Sequence, residues 1–317
     1  MIHILGAGSI GSLLALSLAR KFPVEFLLRP QSYRSFVDVG KSTVQMHLNG
    51  AVFENQIGAR EILPPGRGAP FEISKLIVAV KTHDVVKALH SVRPHLSPAT
   101  EVLVVHNGMG VLEWIREAFD GPLPRLAFGV TDANVARERP LWKFHYTGRG
   151  VNYVSQPENA DLGLFANLAS CSELAVTEQV PWAEFVHRQK RKLAINAVVN
   201  PLTALLQCRN GALLEFDEHG LLPRLIAETS RVLGLDRKVV TDIVQEILER
   251  SAPSITSMLA DVDAGRPSEI ENINGFVVRE AHRQGMSAPL NQMLRDLVHM
   301  RILQVRREMD AAVPHVA

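Results

Sequence analysis

The chain has 317 residues, 46% of them hydrophobic, which is enough for about two domains with a buried core each. Its charges nearly balance, with 34 Lys and Arg against 33 Asp and Glu, and no block of like charge stands out. This composition argues against binding to nucleic acid or to a membrane surface. The sequence also has no uninterrupted run of about 18 apolar residues, which a membrane span would need.

The two cysteines, Cys171 and Cys208, are far apart, and no further Cys or His is spaced around them as in a zinc site. They therefore indicate a reducing compartment and no bound metal. The segment from Leu13 to Ala19 resembles the core of a signal peptide, but glycines precede it where a signal would have basic residues. We expect a soluble, cytoplasmic protein.

The first half alternates short, continuously apolar runs with helical patterns, which is typical of a parallel sheet buried on both faces. We predict helices at Ser9–Lys21, Asp84–Arg93 and Val111–Ala118, and Lys143–Ser155 as an antiparallel extension of the sheet. The predicted parallel strands are Ile2–Leu5, Val24–Leu28, Leu76–Val80, Val102–His106 and Leu126–Val130.

After about residue 180 the strand signals fade and helical periodicities take over. The sequence thus predicts an α/β domain over residues 1–180 and an all-helical domain over residues 181–317. The predicted helices of the second domain are Ala183–Gln207, Leu221–Leu233, Arg237–Arg250, Glu269–Gln284 and Leu290–Glu308, with another beginning within Ser254–Leu259.

A glycine motif directly follows the first predicted strand and opens a helix. Its residues are Gly6, Ala7, Gly8, Ser9, Ile10 and Gly11. Glycines permit a tight turn and close approach of a ligand, and the free N–H groups of the helix N-terminus attract a pyrophosphate. In a βαβ context this motif predicts a dinucleotide site.

Arg29 stands at the end of the second predicted strand, where NAD-binding proteins have an acidic residue. A guanidinium at this position can bind the additional phosphate of NADP. The alternative is that Arg29 is merely an exposed residue at a strand end. The residue type favours NADPH, and hence a reductive reaction.

Two further strand ends carry polar residues. Lys81 follows Leu76–Val80, and Asn107 stands two residues after Val105 in the run His106-Asn107-Gly108-Met109-Gly110. The carboxyl ends of strands line the ligand crevice of open α/β sheets, so both are candidates for contact with a cofactor or substrate. For Asn107 the alternative is an ordinary Asn-Gly turn, and we interpret His106 as structural.

A polar stripe opens the helical domain. Lys192, Asn196 and Asn200 are spaced i, i+4 and i+8, so they share one face of a helix, and the residues between them are almost all apolar. Buried polar groups need partners, which a polar substrate would supply. The alternative is a solvent-facing stripe, but the apolar neighbours leave little room for one.

Further polar candidates follow the stripe. Asn210 and Gly211 close the loop after the polar helix, and Ser268 is placed to cap a helix whose first turn holds Glu269 and Glu271. Capping is one interpretation of Glu269, and an acid–base or substrate-orienting partner of Lys192 is the other.

Taken together, the chain resembles the ketopantoate reductases (2-dehydropantoate 2-reductases) over nearly its full length. The resemblance rests on the glycine motif, on His106–Gly110, on Lys192–Ala204 with its Asn-Pro pair, on Asn210-Gly211, on Ser257-Met258-Leu259, and on Glu269-Ile270 with Ile273–Phe276. It implies a Rossmann domain followed by a helical domain of the 6-phosphogluconate dehydrogenase type.

The resemblance also implies roles. Lys192 would be the general acid, and Glu269 would contact the cofactor and help to order the site. Asn107 would contact both nicotinamide and substrate. The substrate would be held by Asn196, Asn200, Asn210 and Ser257, and NADPH by the glycine motif, Arg29, Lys81 and Asn134, although the sequence around Asn134 departs from better-known members.

The implied reaction is NADPH-dependent reduction of 2-dehydropantoate to (R)-pantoate, for pantothenate and coenzyme A synthesis, by a monomer or homodimer. Three alternatives stay open at this point. They are a reductase of the same fold acting on another 2-keto or 3-keto acid, a non-catalytic NADPH-binding sensor, and a structural helical module fused to a degenerate Rossmann half.

Overall fold

The computed structural model describes residues 1–63, 71–138, 142–148, 150–158, 162–171 and 174–312. The chain divides into a first unit, Met1–His106 with Val111–Phe185, and a second unit, Asn107–Gly110 with Val186–Ala317. The sequence placed this division at 180/181.

The strands of the described residues all lie in the first unit and form two sheets. The strands are β1 (Ile2–Leu5), β2 (Val24–Leu28), β3 (Thr43–Leu48), β4 (Ala51–Gln56), β5 (Gly58–Glu61), β6 (Lys75–Val78), β7 (Glu101–Val105), β8 (Arg125–Thr131), β9 (Asn134–Glu138), β10 (Lys143–Gly148), β11 (Val151–Ser155) and β12 (Val176–Gln179).

Helices occur in both units. They are α1 (Ser9–Ala19), α2 (Pro30–Arg34), α3 (Val85–Val92), α4 (Val111–Ala118), α5 (Gly163–Ala169), α6 (Trp182–Leu206), α7 (Ala212–Phe216), α8 (Leu221–Leu233), α9 (Arg237–Arg250), α10 (Ser257–Asp263), α11 (Asn274–Arg283) and α12 (Pro289–Ala312). None of the helices in the described ranges is both long and apolar enough to cross a membrane.

The main sheet has the strand order β12-β11-β8-β7-β6-β1-β2-β5 within the described residues. All neighbouring pairs are parallel except β11 and β8, and Ile4 of β1 lies opposite Phe26 of β2 and Ile77 of β6. These three side chains are completely or almost completely buried, which is why the strands read as continuously apolar. The five predicted parallel strands are confirmed, with ends shifted by at most two residues.

A second sheet, in the order β4-β3-β10-β9, was not predicted. The expected antiparallel extension over Lys143–Ser155 is wrong in part. The first portion, β10, joins the second sheet beside β3 and β9, and only β11 extends the main sheet, antiparallel to β8. Gly150 separates them where a Cβ would lie 2.2 Å from the Ala133 backbone nitrogen, so the chain changes sheets at a point of close contact.

The described residues of the second unit are helical around one apolar core, to which α6 contributes Leu193, Ala197 and Val198. The predicted bounds of α8 and α9 are confirmed to the residue, because Gly234 ends α8 in the left-handed conformation and the Asp236 carboxylate caps α9. One predicted helix, Glu269–Gln284, is instead a 3₁₀ turn followed by α11. The predicted fold class, a Rossmann domain followed by a helical domain, is confirmed.

Candidate active site

The glycine loop between β1 and α1 depends on two glycines for its shape. Gly6 has φ +107°, and a Cβ there would lie 2.5 Å from the Ala79 carbonyl oxygen. A Cβ on Gly11 would lie 1.9 Å from the Gly6 carbonyl oxygen, so the first turn of α1 packs directly on the loop. Around Gly8 the space is open, since a Cβ there would meet no atom within 4 Å. The fold thus requires Gly6 and Gly11, whereas Gly8 leaves room beside the loop.

The N-terminus of α1 fits the pyrophosphate of a dinucleotide. Gly8 is its N-cap and provides no side-chain hydrogen bond to the first turn, and Gly8, Ser9 and Ile10 are half-buried. The first N–H groups of a helix have no carbonyl partner within it, and the helix dipole favours an anion there. The open space beside Gly8 admits such an anion.

Arg137, which the sequence analysis did not single out, also lies at the glycine loop. Its Nη2 donates a 2.6 Å hydrogen bond to the Ala7 carbonyl oxygen, and the guanidinium lies 5.6 and 5.4 Å from the ring centres of Trp142 and Phe144. A cation held in this way adds positive charge to the loop. Arg137 lies on β9, 130 residues from Ala7, so no local pattern could have indicated the contact.

Arg29 and Lys81 lie at the same edge of the main sheet as the glycine loop. Exposed Arg29 directly follows β2, and half-buried Lys81 follows β6 by three residues. Because β2, β1 and β6 are adjacent and parallel, their carboxyl ends meet there. Asn134 is the exposed first residue of β9, the strand that also carries Arg137.

In the second unit, Lys192, Asn196 and Asn200 lie on α6, where the i, i+4, i+8 spacing places them on one face. Lys192 and Asn196 are half-buried, and Asn200 is only 8% exposed. The apolar residues between them are buried in the core of this unit. A fully solvent-exposed stripe is therefore not what the structure has.

The start of α10 is fixed to the turn of α6 that carries Asn200. The Thr203 hydroxyl lies 3.0 Å from the Asn200 carbonyl oxygen and 2.8 Å from the Thr256 hydroxyl. Thr256 is the N-cap of α10 and accepts a hydrogen bond from the Leu259 N–H, so Ser257 begins the helix as an exposed residue. Ser257 therefore directly follows Thr256, the residue that is hydrogen-bonded to the turn of α6 that carries Asn200.

Asn210 presents a buried acceptor. Its Nδ2 donates to the Ser251 hydroxyl at 2.8 Å, and its backbone N–H donates to the Ser254 carbonyl at 3.0 Å. No donor among the described residues reaches its Oδ1, although Asn210 is only 7% exposed. An unsatisfied buried acceptor costs about 1–3 kcal/mol.

Asn107 and Glu269, the remaining predicted site residues of this unit, are hydrogen-bonded to each other. Asn107 Nδ2 donates to Glu269 Oε2 at 3.1 Å, and Glu269 is only 5% exposed. The Asn107–Gly110 segment packs on the turn after Glu269, since a Cβ on Gly108 would lie 2.5 Å from the Asn272 carbonyl oxygen and the Met109 N–H donates to that oxygen at 3.4 Å. The Asn-Gly turn is therefore real, and it also places the Asn107 side chain.

The capping alternative for Glu269 is wrong. Glu269 precedes the 3₁₀ turn Ile270–Asn272 and makes no side-chain cap hydrogen bond there. Ser268 instead accepts a 3.4 Å hydrogen bond from the Ile270 N–H, and α11 begins only at Asn274. The Glu269 carboxylate is thus directed to Asn107, not to a helix N-terminus.

The described residues include no group of three or more His, Cys, Asp or Glu side chains that could hold a metal ion. What the site offers in the second unit is one primary amine, several carboxamides, a hydroxyl and a buried carboxylate. This donor set suits a polar organic ligand that bears oxygen atoms.

Comparison with known proteins gives two family matches that together span most of the chain. Residues 2–159 match the family described as ketopantoate reductase PanE/ApbA, and residues 184–302 match its C-terminal domain. A 2-dehydropantoate 2-reductase of Vibrio cholerae is 33% identical over 225 residues, 69% of this chain and 74% of that protein. A 2-dehydropantoate 2-reductase of Yersinia pestis is 30% identical over 307 residues, 94% of this chain and 93% of that protein.

Among solved structures, a ternary complex of D-mandelate dehydrogenase with NADH and anilino(oxo)acetate superposes with a TM-score of 0.82. It is 21% identical and covers 96% of this chain and 100% of its own. This likeness shows a shared fold.

Proposed function

The chain belongs to the ketopantoate reductase family, and we propose that it reduces 2-dehydropantoate to (R)-pantoate with NADPH, a step of pantothenate and coenzyme A biosynthesis. The observation that carries this proposal is the polar stripe of α6, in which half-buried Lys192 and Asn196 and buried Asn200 share one face and mostly buried apolar residues lie between them. The Lys192 ammonium and the two carboxamides can donate to the carbonyl and carboxylate oxygens of a keto acid.

The first unit would hold the cofactor. The glycine loop, from Gly6 to Gly11, accommodates the pyrophosphate, and Arg29 pairs with the 2′-phosphate that distinguishes NADPH from NADH. Lys81 and Asn134 provide further contacts to the dinucleotide. When bound, the reduced nicotinamide supplies a hydride to the C2 ketone of the substrate.

Lys192 would supply the proton. Reduction of the C2=O bond adds a hydride to carbon, so negative charge develops on the oxygen. The Lys192 ammonium stabilises this charge and transfers one proton from Nζ to the oxygen, which gives the alcohol and leaves a neutral amine that solvent reprotonates. Proton transfer of this kind contributes about 10²–10⁴-fold to the rate.

The carboxamides and Ser257 would hold the substrate. Asn196, Asn200 and Asn210 form hydrogen bonds with its carboxylate and hydroxyl oxygens. Asn107 contacts both nicotinamide and substrate. Glu269 holds the Asn107 amide through the 3.1 Å hydrogen bond and also contacts the cofactor, so it orders the acid–base site.

Steady-state assays with a panel of 2-oxo acids test the proposal. NADPH consumption is followed with 2-dehydropantoate, benzoylformate, pyruvate and 2-oxoisovalerate, and each series is repeated with NADH. We expect kcat/KM for 2-dehydropantoate with NADPH to exceed every other combination by at least about 10-fold, a difference of about 1.4 kcal/mol.

Faster turnover of another acid would replace 2-dehydropantoate by a different substrate of the same fold, and tight NADPH binding without turnover of any acid would indicate a sensor. A preference for NADH would overturn the assignment of Arg29. Each result contradicts a different part of the proposal.

We also propose a cytoplasmic enzyme that acts as a monomer or homodimer, without nucleic acid or membrane partners. Both cysteines, buried Cys171 and half-buried Cys208, are free thiols, and burial raises the pKa of the Cys208 thiol. Free thiols are typical of a reducing compartment. Light scattering of the purified chain distinguishes the two oligomeric states.

A further inference from the structure

Pro201 interrupts the hydrogen bonding of α6 directly after the last residue of the polar stripe. The proline lies within the helix, one residue after Asn200. A proline has no N–H, so the carbonyl four residues earlier, that of Ala197, loses the donor it would have in a regular helix. Ala197 is completely buried, so water is not a substitute. An unsatisfied carbonyl at such a position destabilises the folded chain.

Asn274 supplies the missing donor. Its Nδ2 donates to the Ala197 carbonyl oxygen at 2.9 Å, and Asn274 itself is completely buried as the first residue of α11. The bond joins residues 77 positions apart and satisfies the carbonyl that Pro201 leaves open. It fixes the backbone of α6 between Asn196 and Asn200.

The Asn274 carboxamide is itself held by a buried polar network. Its Nδ2 also donates to Asn291 Oδ1 at 3.0 Å, and Asn291 Nδ2 donates to Glu228 Oε1 at 2.9 Å and to the Thr229 hydroxyl at 3.1 Å. Glu228 further accepts the Asn291 backbone N–H at 2.8 Å, at the start of α12. The amide orientation of Asn274 is therefore fixed from α8 and α12.

Both N–H groups of Asn274 are used in this arrangement, one for the Ala197 carbonyl and one for Asn291. An aspartate in its place has no donor, and an aliphatic side chain leaves the carbonyl unsatisfied. The two N–H donors of the carboxamide are therefore required at this position, and a side chain of equal volume without them cannot replace it.

We propose that Asn274 is a positioning residue for the reaction, one that sets the path of α6 through the Ala197 carbonyl and thereby the spacing of Lys192, Asn196 and Asn200. This inference rests on the proposed function of the stripe. Asn274 is completely buried and hydrogen-bonded to Ala197 and Asn291, so we place it outside the set of residues that contact substrate or cofactor. Its effect on turnover is indirect, through the geometry of the residues that do.

A double-mutant cycle with Pro201 tests the mechanism. Asn274→Leu keeps a similar volume and removes both donors, and Pro201→Ala restores a backbone N–H that can donate to the Ala197 carbonyl. We expect Asn274→Leu to lower kcat/KM for 2-dehydropantoate by about 10- to 100-fold, the effect of a small misplacement of reacting groups. In the Pro201→Ala background, the same substitution should cost less than about 3-fold, a difference of less than about 1 kcal/mol. The dissociation constant of NADPH should not change.

Val244→Ala in α9, a buried apolar residue outside the network, controls for general loss of stability. We expect it to lower the urea midpoint of unfolding with little effect on kcat. An equal loss of activity from Asn274→Leu in both backgrounds would overturn the inference, as would normal kinetics of the single variant.

The failure of this inference differs from failure of the proposed function. If the parental chain reduces no 2-oxo acid, the proposed function is wrong, and the cycle is then measured on urea midpoints alone. Equal destabilisation by Asn274→Leu with and without Pro201 would still overturn the link to the Ala197 carbonyl. Recovery of the midpoint with Pro201→Ala would support it.

Discussion

At the scale of single residues, Lys192 is the one whose chemistry the proposed reaction needs most. Lys190 lies two positions earlier on the same helix and is also half-buried, but a rotation of about 200° between them directs the two side chains to different faces. The charge of Lys190 acts instead on Glu280, whose pKa is lowered mainly by its hydrogen bond with Arg283 and to a smaller extent by Lys190. The two lysines are therefore a matched pair for mutation.

We expect Lys192→Ala to lower kcat at least about 100-fold, because no group then donates a proton to the developing oxyanion. Lys190→Ala should stay within about 2-fold of the parental enzyme, as substitutions away from a functional contact usually do. Far-UV circular dichroism verifies that both variants are folded. Near-normal turnover of Lys192→Ala would remove Lys192 from the mechanism.

Arg29 is the residue on which the choice of cofactor depends. Replacing it with serine removes a charge-assisted hydrogen bond to the 2′-phosphate, worth about 1.5–3 kcal/mol, so the Kd of NADPH should rise by about 10- to 100-fold. The Kd of NADH should remain unchanged, since NADH has no phosphate there. Titration of both cofactors into the purified variant measures the two constants.

Arg34→Ser, at the exposed end of α2, is the control for a general change of surface charge. It should leave both constants near their parental values. Equal weakening of NADPH binding by Arg29→Ser and Arg34→Ser would indicate nonspecific electrostatics instead of a phosphate contact.

Site residues could be predicted from the sequence where their spacing along the chain is itself the signal. They could not be predicted where the contact joins residues that are far apart in the chain. The i, i+4, i+8 spacing is by itself sufficient to place Lys192, Asn196 and Asn200 on one helix face. Arg137 and Asn274 make contacts that span 130 and 77 residues, and both donate to backbone carbonyls. A backbone carbonyl leaves no signature in a sequence, so these contacts are evident only in the folded chain.

At the scale of elements, two glycines of the glycine loop allow an effect on folding stability to be distinguished from an effect on cofactor binding. Gly11→Ala would place a Cβ 1.9 Å from the Gly6 carbonyl oxygen, so we expect lower thermal stability and weaker NADPH binding together. Gly8→Ala meets no atom within 4 Å, and φ at Gly8 is −77°, which alanine adopts freely. It should keep the parental melting temperature and still weaken NADPH binding by about 10-fold or more, because its methyl group occupies the space for the pyrophosphate.

Thermal unfolding and cofactor titration of the two variants provide the comparison. A Gly8→Ala variant that binds NADPH as well as the parental chain would show that the pyrophosphate does not approach this part of the loop. Loss of stability in both variants would show that the loop is simply intolerant of side chains.

The elements that were predicted are those whose burial dominates their sequence. Strands β1, β2, β6, β7 and β8 are mostly buried along their length, so their apolar runs are unmistakable. Strands β4, β9 and β12 are largely exposed, and their residues are mostly polar or small. Their pairing depends on neighbours elsewhere in the chain, which composition does not reveal.

At the scale of the whole molecule, the two units can be observed separately by spectroscopy. All three tryptophans, Trp114, Trp142 and Trp182, belong to the first unit, which also holds the glycine loop. The long helices α8, α9 and α12 belong to the second unit. Tryptophan fluorescence therefore reports on the first unit, whereas far-UV circular dichroism receives a large contribution from the second.

This division predicts where a bound cofactor stabilises the chain. NADP⁺ at 100 times its Kd should raise the free energy of unfolding of the unit that binds it by about 2.7 kcal/mol, or about 5–10 °C in midpoint for a unit of this size. The oxidised cofactor is preferred because it does not absorb the tryptophan emission. We expect the midpoint followed by fluorescence to rise at least as much as the midpoint followed by circular dichroism. Arg29→Ser should reduce the rise, and a rise seen by circular dichroism alone would contradict cofactor binding by the first unit.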